Sequence, residues 1–111
     1  MVQLSVRRAS GLRPQIWAGL WDARRQIEII QREGLMFLGS GLTDPDVALA
    51  AAVELYCAYG LKYPAALNAP QFLEGSYLKK PLAVKNGEIE FPAGPGLGVE
   101  VDEERLRRQR T

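Results

Sequence analysis

Leu35-Met36-Phe37-Leu38-Gly39-Ser40-Gly41-Leu42-Thr43-Asp44-Pro45 is the stretch whose pattern decides the fold. Its first four residues are apolar without a break. A run with no polar alternation predicts a strand buried on both faces, as in a parallel sheet. Gly39-Ser40-Gly41 closes that strand. Thr43 or Asp44 can then cap a helix, and Pro45 fits its first turn, where the missing amide hydrogen costs nothing.

Upstream, Ile16 to Glu33 has helical periodicity. Ile16, Leu20, Ala23, Ile27 and Ile30 recur at spacings of three and four and form one apolar stripe. Arg24, Arg25, Glu28 and Gln31 lie on the other side, with Arg24 and Glu28 spaced to pair. Gly34 supplies a left-handed cap. Further upstream, Val2, Leu4 and Val6 alternate with Gln3 and Ser5, which predicts a short strand, and Ser10-Gly11 predicts a turn. Downstream, about Pro45 to Tyr59 reads as a second helix, apolar on more than one face, with five alanines between residues 48 and 58. Gly60 ends it. Residues 2 to 60 thus read strand, helix, strand, helix with short connections, the pattern of parallel α/β units. Two parallel strands alone would leave faces and edges bare, so a piece of something larger, or an assembly, is expected.

Residues 61 to 79 show little periodicity and are interrupted by Pro64, Pro70 and Gly75. Leu82 and Val84, then Ile89 and Phe91, flank Lys85-Asn86-Gly87-Glu88. Asn-Gly between alternating apolar residues predicts a type I′ hairpin. Pro92 to Gly98 has three glycines, but it lacks a Gly-Lys-Ser/Thr ending and its prolines remove donors. It reads as a structural turn rather than a phosphate loop. Val99 and Val101 resume an extended run, and Asp102 can cap a last helix, Glu103 to Arg110, whose early acids and late arginines suit the helix dipole.

Composition bounds the function. The 111 residues are 47% hydrophobic and 24% charged, enough for one small folded domain. With 14 Lys and Arg against 13 Asp and Glu, the formal charge is +1. That balance favours neither nucleic acid nor an anionic membrane as partner. The chain has no histidine, which excludes a histidine base, ligand or triad from it. One cysteine, Cys57, rules out an intrachain disulfide and fits a reducing compartment. Met1 to Pro14 lacks the apolar core of a signal peptide, and Val47 to Leu61 is too short to span a bilayer, so a cytoplasmic location is expected.

The strings Gly39 to Pro45, Leu67-Asn68-Ala69-Pro70-Gln71-Phe72-Leu73, Pro81 to Ile89, and above all Pro92 to Leu106 (PAGPGLGVEVDEERL) carry a resemblance. The sequence resembles the C-terminal part of the mandelate racemase/muconate lactonizing enzymes, a branch of the enolase superfamily. The resemblance implies an α/β fold, a partial TIM-type (β/α) barrel with its last strand-helix units, then a β-hairpin and a short C-terminal helix. Residues 1–79 would be the C-terminal part of the barrel and 80–111 the hairpin and tail returning toward a capping domain. Such enzymes bind Mg²⁺ through three carboxylates and abstract a proton alpha to a carboxylate, as racemases, cycloisomerases or dehydratases. The complete parent would take a small carboxylate substrate and form a homo-oligomer. The three metal-binding strands would precede residue 1, so neither Mg²⁺ nor catalysis is expected of this chain alone.

The resemblance also locates two departures. A lysine base common on the sixth strand would fall at about Ser5, with Arg7 or Arg8 matching a nearby arginine. A glutamate common on the seventh strand is missing from Gly39-Ser40-Gly41. No catalytic residue is therefore assigned. Asp44, at the face where barrel enzymes place chemistry, is expected to cap. Ser40 is expected to serve the turn, Asn68 and Gln71 to bond within loops, and Cys57 to pack inside an apolar helix. Arg105, Arg107, Arg108 and Arg110 read as a solvated surface beside Glu103 and Glu104. Neither Asp44 with Asp46 nor Glu88 with Glu90 makes an oxygen cage. The alternative is a non-catalytic structural or interaction module derived from such a domain.

Overall fold

The computed structural model describes residues 11–12, 19–41, 44–67, 71–90 and 92–110. Strand β1 (Gly11–Leu12) pairs in parallel with β2 (Met36–Phe37), with Gly11 opposite Met36 and Leu12 opposite Phe37. The helix between them, α1, spans Leu20–Arg32. Helix α2 spans Asp46–Ala58. Beyond it the chain returns to the sheet through a parallel bridge between Ser40 and Ala66. The Gly41 amide donates to the Ala66 carbonyl at 2.8 Å and the Ala66 amide to the Gly39 carbonyl at 3.0 Å. A strand-helix-strand-helix order is thus present, but its first strand among the described residues is Gly11–Leu12 and not the expected stretch around Val2 to Val6, and a third parallel segment follows that periodicity in residues 61 to 79 did not advertise.

Both helices end as their glycines predict. After α1, Gly34 takes φ 72°, its amide donates to Gln31, and the Leu35 amide donates to Ile30. After α2, Gly60 takes φ 65°, its amide donates to Cys57, and the Leu61 amide donates to Tyr56. These are paired Schellman bonds, which satisfy otherwise orphaned carbonyls and need a left-handed residue at the turn. Leu35 and Leu61, the residues just past each cap, pack on the core.

That core lies between the helices and one face of the strands. Ala23, Ile27 and Ile30 of α1 meet Phe37 of β2 and Ala52, Leu55 and Tyr56 of α2. Full burial of one side chain the size of Ile27 is worth roughly 1.5–3 kcal/mol. Phe37 and Tyr56 pack ring to ring at 6.2 Å between centroids. A Cβ on Gly39 would lie 2.9 Å from both Ala65 Cβ and Leu61 Cδ2, so residue 39 faces the same layer and has room only for hydrogen. By strand alternation Met36, Leu38 and Ser40 face the other way.

Here the structure corrects the first expectation. The apolar run is not buried on both faces, because both helices lie on the side of Phe37, and Leu38 is 37% exposed. Other corrections follow from the same packing. The first helix begins at Leu20 rather than at the expected Ile16, because Gly19 at φ 98° is not helical, and Leu20 is exposed, since this first turn lies outside the contact with β2 and α2. Gly11 is extended in β1 rather than in a turn, because it pairs with Met36. The predicted strand at Val2, Leu4 and Val6 lies outside the described residues, as does Ile16.

Strands β3 (Val84–Lys85) and β4 (Glu88–Ile89) form the predicted hairpin, with Asn86 at φ 52° and Gly87 at φ 77°. Both central residues are left-handed, as a type I′ turn requires. Leu82 and Ile89 pack on Leu49 and Val53 of α2. The tail then turns tightly. A Cβ on Gly98, at φ 67°, would lie 2.8 Å from the Pro92 carbonyl oxygen, which bears out the structural reading of Pro92 to Gly98. Helix α3 (Glu103–Arg108) follows, and Asp102 caps it by accepting from the Arg105 amide at 3.0 Å. Among the described residues no helix is long and apolar enough to cross a membrane.

Candidate functional site

Ser40, Gly41 and Asp44 collect where β2 ends and the chain turns toward α2. The Tyr56 hydroxyl holds this point from the helix side. It accepts from the Ser40 amide at 3.3 Å and donates to the Ser40 carbonyl at 3.1 Å. A single phenol thus satisfies two backbone groups of Ser40 that the bridge to Ala66 does not use. Asp44 folds back over Gly41, and its Oδ2 would stand 2.6 Å from a Cβ placed there. Glycine at 41 is what lets that carboxylate approach the strand end. The cap of α2 falls on Pro45, which makes no side-chain hydrogen bond, so the capping role expected of Thr43 or Asp44 is not where the helix begins. Thr43 itself lies outside the described residues.

The buried acid of the region is its neighbour. Asp46, in the first turn of α2, is 6% exposed and accepts a hydrogen bond from the Ser76 hydroxyl. Ser76 Oγ in turn accepts from the Leu78 amide at 3.0 Å. Sequence reading weighed Asp46 only as half of a pair with Asp44. The available signal was a carboxylate on a helix otherwise apolar on several faces, which must bury some polar group and bond it. A small cleft of about 180 Å³ adjoins this contact, bordered by Pro45, Asp46, Leu73, Gly75 and Ser76. Gln71 is exposed on the same loop, and Asn68 lies outside the described residues.

A larger cavity of about 400 Å³ opens between α2 and the hairpin, lined by Val53, Cys57, Leu61, Leu67, Val84 and Ile89 among others. None of Ser40, Gly41 or Asp44 lines it. Cys57, expected to pack inside the helix, is exposed at this cavity instead. The apolar stripe of α2 turns past it, placing Ala52, Leu55 and Tyr56 inward.

Chemically, the strand end offers a serine hydroxyl and one carboxylate. Among the described residues no three of His, Cys, Asp and Glu come together to hold a metal ion. Ser5, Arg7 and Arg8 lie outside the described residues. Two basic residues of α3 pair locally, Arg107 with Glu103 at 3.2 Å and Arg108 with Glu104, while Arg105 lies against Gly75.

Comparison with known proteins gives this geometry a context. A family model described as "Enolase C-terminal domain-like" matches residues 3–105. Muconate cycloisomerase 1-1 of Acinetobacter lwoffii is 31% identical over 91 residues, which is 81% of this chain and 24% of that protein. The crystal structure of 2-chloromuconate cycloisomerase from Rhodococcus opacus 1CP superposes with a TM-score of 0.82 at 33% identity, covering 90% of this chain and 28% of that one. A muconate cycloisomerase from Azorhizobium caulinodans gives a TM-score of 0.82 at 30% identity, covering 96% of this chain and 32% of that one. The chain therefore spans about a quarter of the length of the curated relatives it matches. The match takes in the parallel segments, α1, α2 and the Pro92 to Leu106 string up to residue 105, and the chain belongs to the enolase C-terminal domain-like family.

Proposed function

We propose that this chain is the closing part of a (β/α)-barrel enzyme of the enolase superfamily, and that it is inactive by itself. The observation that carries the reading is the one-sided sheet. Three successive parallel segments have their helices on one face, while Leu38 on the other is 37% exposed. A closed barrel would cover that face with the side chains of its remaining strands. Residues 1–79 would complete the barrel, and 80–111 would carry the chain back toward a capping domain.

The complete enzyme would act in a reducing, cytoplasmic setting on a small carboxylate, by Mg²⁺-assisted abstraction of the proton alpha to it. The relatives named for muconate and chloromuconate make a cycloisomerase outcome the nearest choice. The residues described here do not fit that metal. Asp46 is engaged by Ser76, Asp44 sits over Gly41, and no third ligand joins them. Metal ligands and the base would come from preceding strands. A second reading, a non-catalytic module whose open face is covered by self-association, is favoured by the strand end itself, where Ser40 stands between glycines and no glutamate is present.

Calorimetric titration of the isolated chain with Mg²⁺ should give no stoichiometric binding. Replacing the matching segment of the Azorhizobium caulinodans muconate cycloisomerase with this chain should give a soluble protein that unfolds in one cooperative transition. Stoichiometric Mg²⁺ binding by the chain alone would sink the first reading. A discrete dimer that buries Leu38 would establish the second.

A further inference from the structure

We propose that the Ser76–Asp46 hydrogen bond is a positioning contact through which the C-terminal tail holds residues 71–78 against the first turn of α2, at the carboxyl end of the parallel strands. Its parts lie on a continuous path. The tail runs antiparallel to the segment after the third parallel element. The Lys79 amide donates to the Glu100 carbonyl at 2.9 Å and the Asp102 amide to the Tyr77 carbonyl at 2.7 Å. From α3, Arg105 lays its guanidinium on Gly75, so close that a Cβ there would collide with it. The Tyr77 hydroxyl donates to Gln109 Oε1 at 2.8 Å. The tail therefore grips residues 75, 77 and 79, and between them Ser76 is 8% exposed and points the other way.

Ser76 reaches Asp46, whose carboxylate is buried in the first turn of α2, directly after the loop that holds Ser40, Gly41 and Asp44. A buried carboxylate must be bonded, and an unpaired one costs more than the bond itself is worth. That asymmetry makes the contact close to all-or-none. With Ser76 in place, residues 71–78 and the first turn of α2 are held together; without it, Asp46 must find water and the two segments part. The Leu78 amide, bonded to the same Ser76 oxygen at 3.0 Å, reports on the contact. The functional meaning of these segments rests on the barrel reading above, whereas the contact itself does not.

Amide hydrogen exchange of the full 111-residue chain tests it. Ser76→Ala should raise exchange at Leu78 and across 73–78 by about tenfold or more, with Ile27 and Ile30 of α1 unchanged. Ser76→Thr, which keeps the hydroxyl, and Asp46→Asn, which keeps an acceptor, should both restore protection. Gly75→Ala should loosen 99–109 and 73–78 together by displacing Arg105. The proposal is overturned if Ser76→Ala leaves Leu78 unchanged, if it loosens α1 to the same extent, or if neither conservative variant rescues. It is also overturned if Gly75→Ala frees the tail while the Ser76 loop keeps its protection. None of these outcomes depends on whether the chain is part of a barrel enzyme.

Discussion

Tyr59 shows how a single side chain ties the two helices. Its hydroxyl donates to Glu28 Oε1 at 2.6 Å, and Glu28 also pairs with Arg24 at 3.2 Å. Arg24 in turn lies 4.9 Å over the exposed Trp21 ring. The Arg24–Glu28 pair was legible from spacing alone; its extension to Tyr59 was not, because the partners are 31 residues apart. The hydrogen bond to the Glu28 carboxylate holds the Tyr59 pKa above its usual 10.0. The folded chain therefore keeps this proton longer than the unfolded chain. Any stability from the bond is fully present below pH 10.0 and is lost as pH rises through the higher folded value. Tyrosinate absorbance followed through an alkaline titration should show the Tyr59 midpoint fall toward 10.0 in Glu28→Gln. An unchanged midpoint would mean that the bond does not form in solution.

Elements whose instructions are local came through most faithfully. Gly34 and Gly60 stop their helices, Asp102 caps α3, and Asn86-Gly87 turns the hairpin, because each depends on backbone dihedrals within a few residues. Gly87→Ala should destabilise β3–β4 by about 1–2 kcal/mol, the usual cost of a left-handed non-glycine residue. It should leave the caps of α1 and α2 alone. Loss of the Val84–Ile89 cross-strand contacts by nuclear Overhauser spectroscopy, without change at Ile27, is the expected result. What local reading missed was the segment around Ala66. Its parallel bridge to Ser40 uses one residue, too little for any periodicity to register, and exists only because the Gly39 carbonyl and Gly41 amide are already in place.

At the scale of the whole molecule, the apolar stripe of β2 divides between two environments. Phe37 is 5% exposed under both helices, whereas Leu38 on the far face is 37% exposed. An uncovered apolar face recruits other apolar surface. The isolated chain should accordingly bind an anilinonaphthalene dye, and Leu38→Ser should lower that fluorescence by about twofold. Size-exclusion chromatography showing a compact monomer with no dye binding would contradict this account of the face.

Periodicity, cap residues and turn chemistry were enough to place both helices, the strand at Met36, the hairpin and the capped tail helix. Each of these is dictated by dihedral preferences, by an unbroken apolar run, or by an apolar spacing of two or of three to four residues. The strings Gly39 to Pro45, Leu67 to Leu73, Pro81 to Ile89 and above all Pro92 to Leu106 were together enough to place the chain in its family. Local pattern could not say which face of β2 is covered, that Cys57 turns outward, that the cap of α2 falls on Pro45 rather than on Thr43 or Asp44, or that Asp46 is the acid held by Ser76. Those outcomes depend on contacts between residues as far apart as the 16 positions of Ser40–Tyr56 and the 30 of Asp46–Ser76, and nothing within a turn or strand encodes a partner at that distance. The run at Leu35 to Leu38 shows both sides. Its apolar character marked a strand, but its burial on one face only was settled by where α1 and α2 pack.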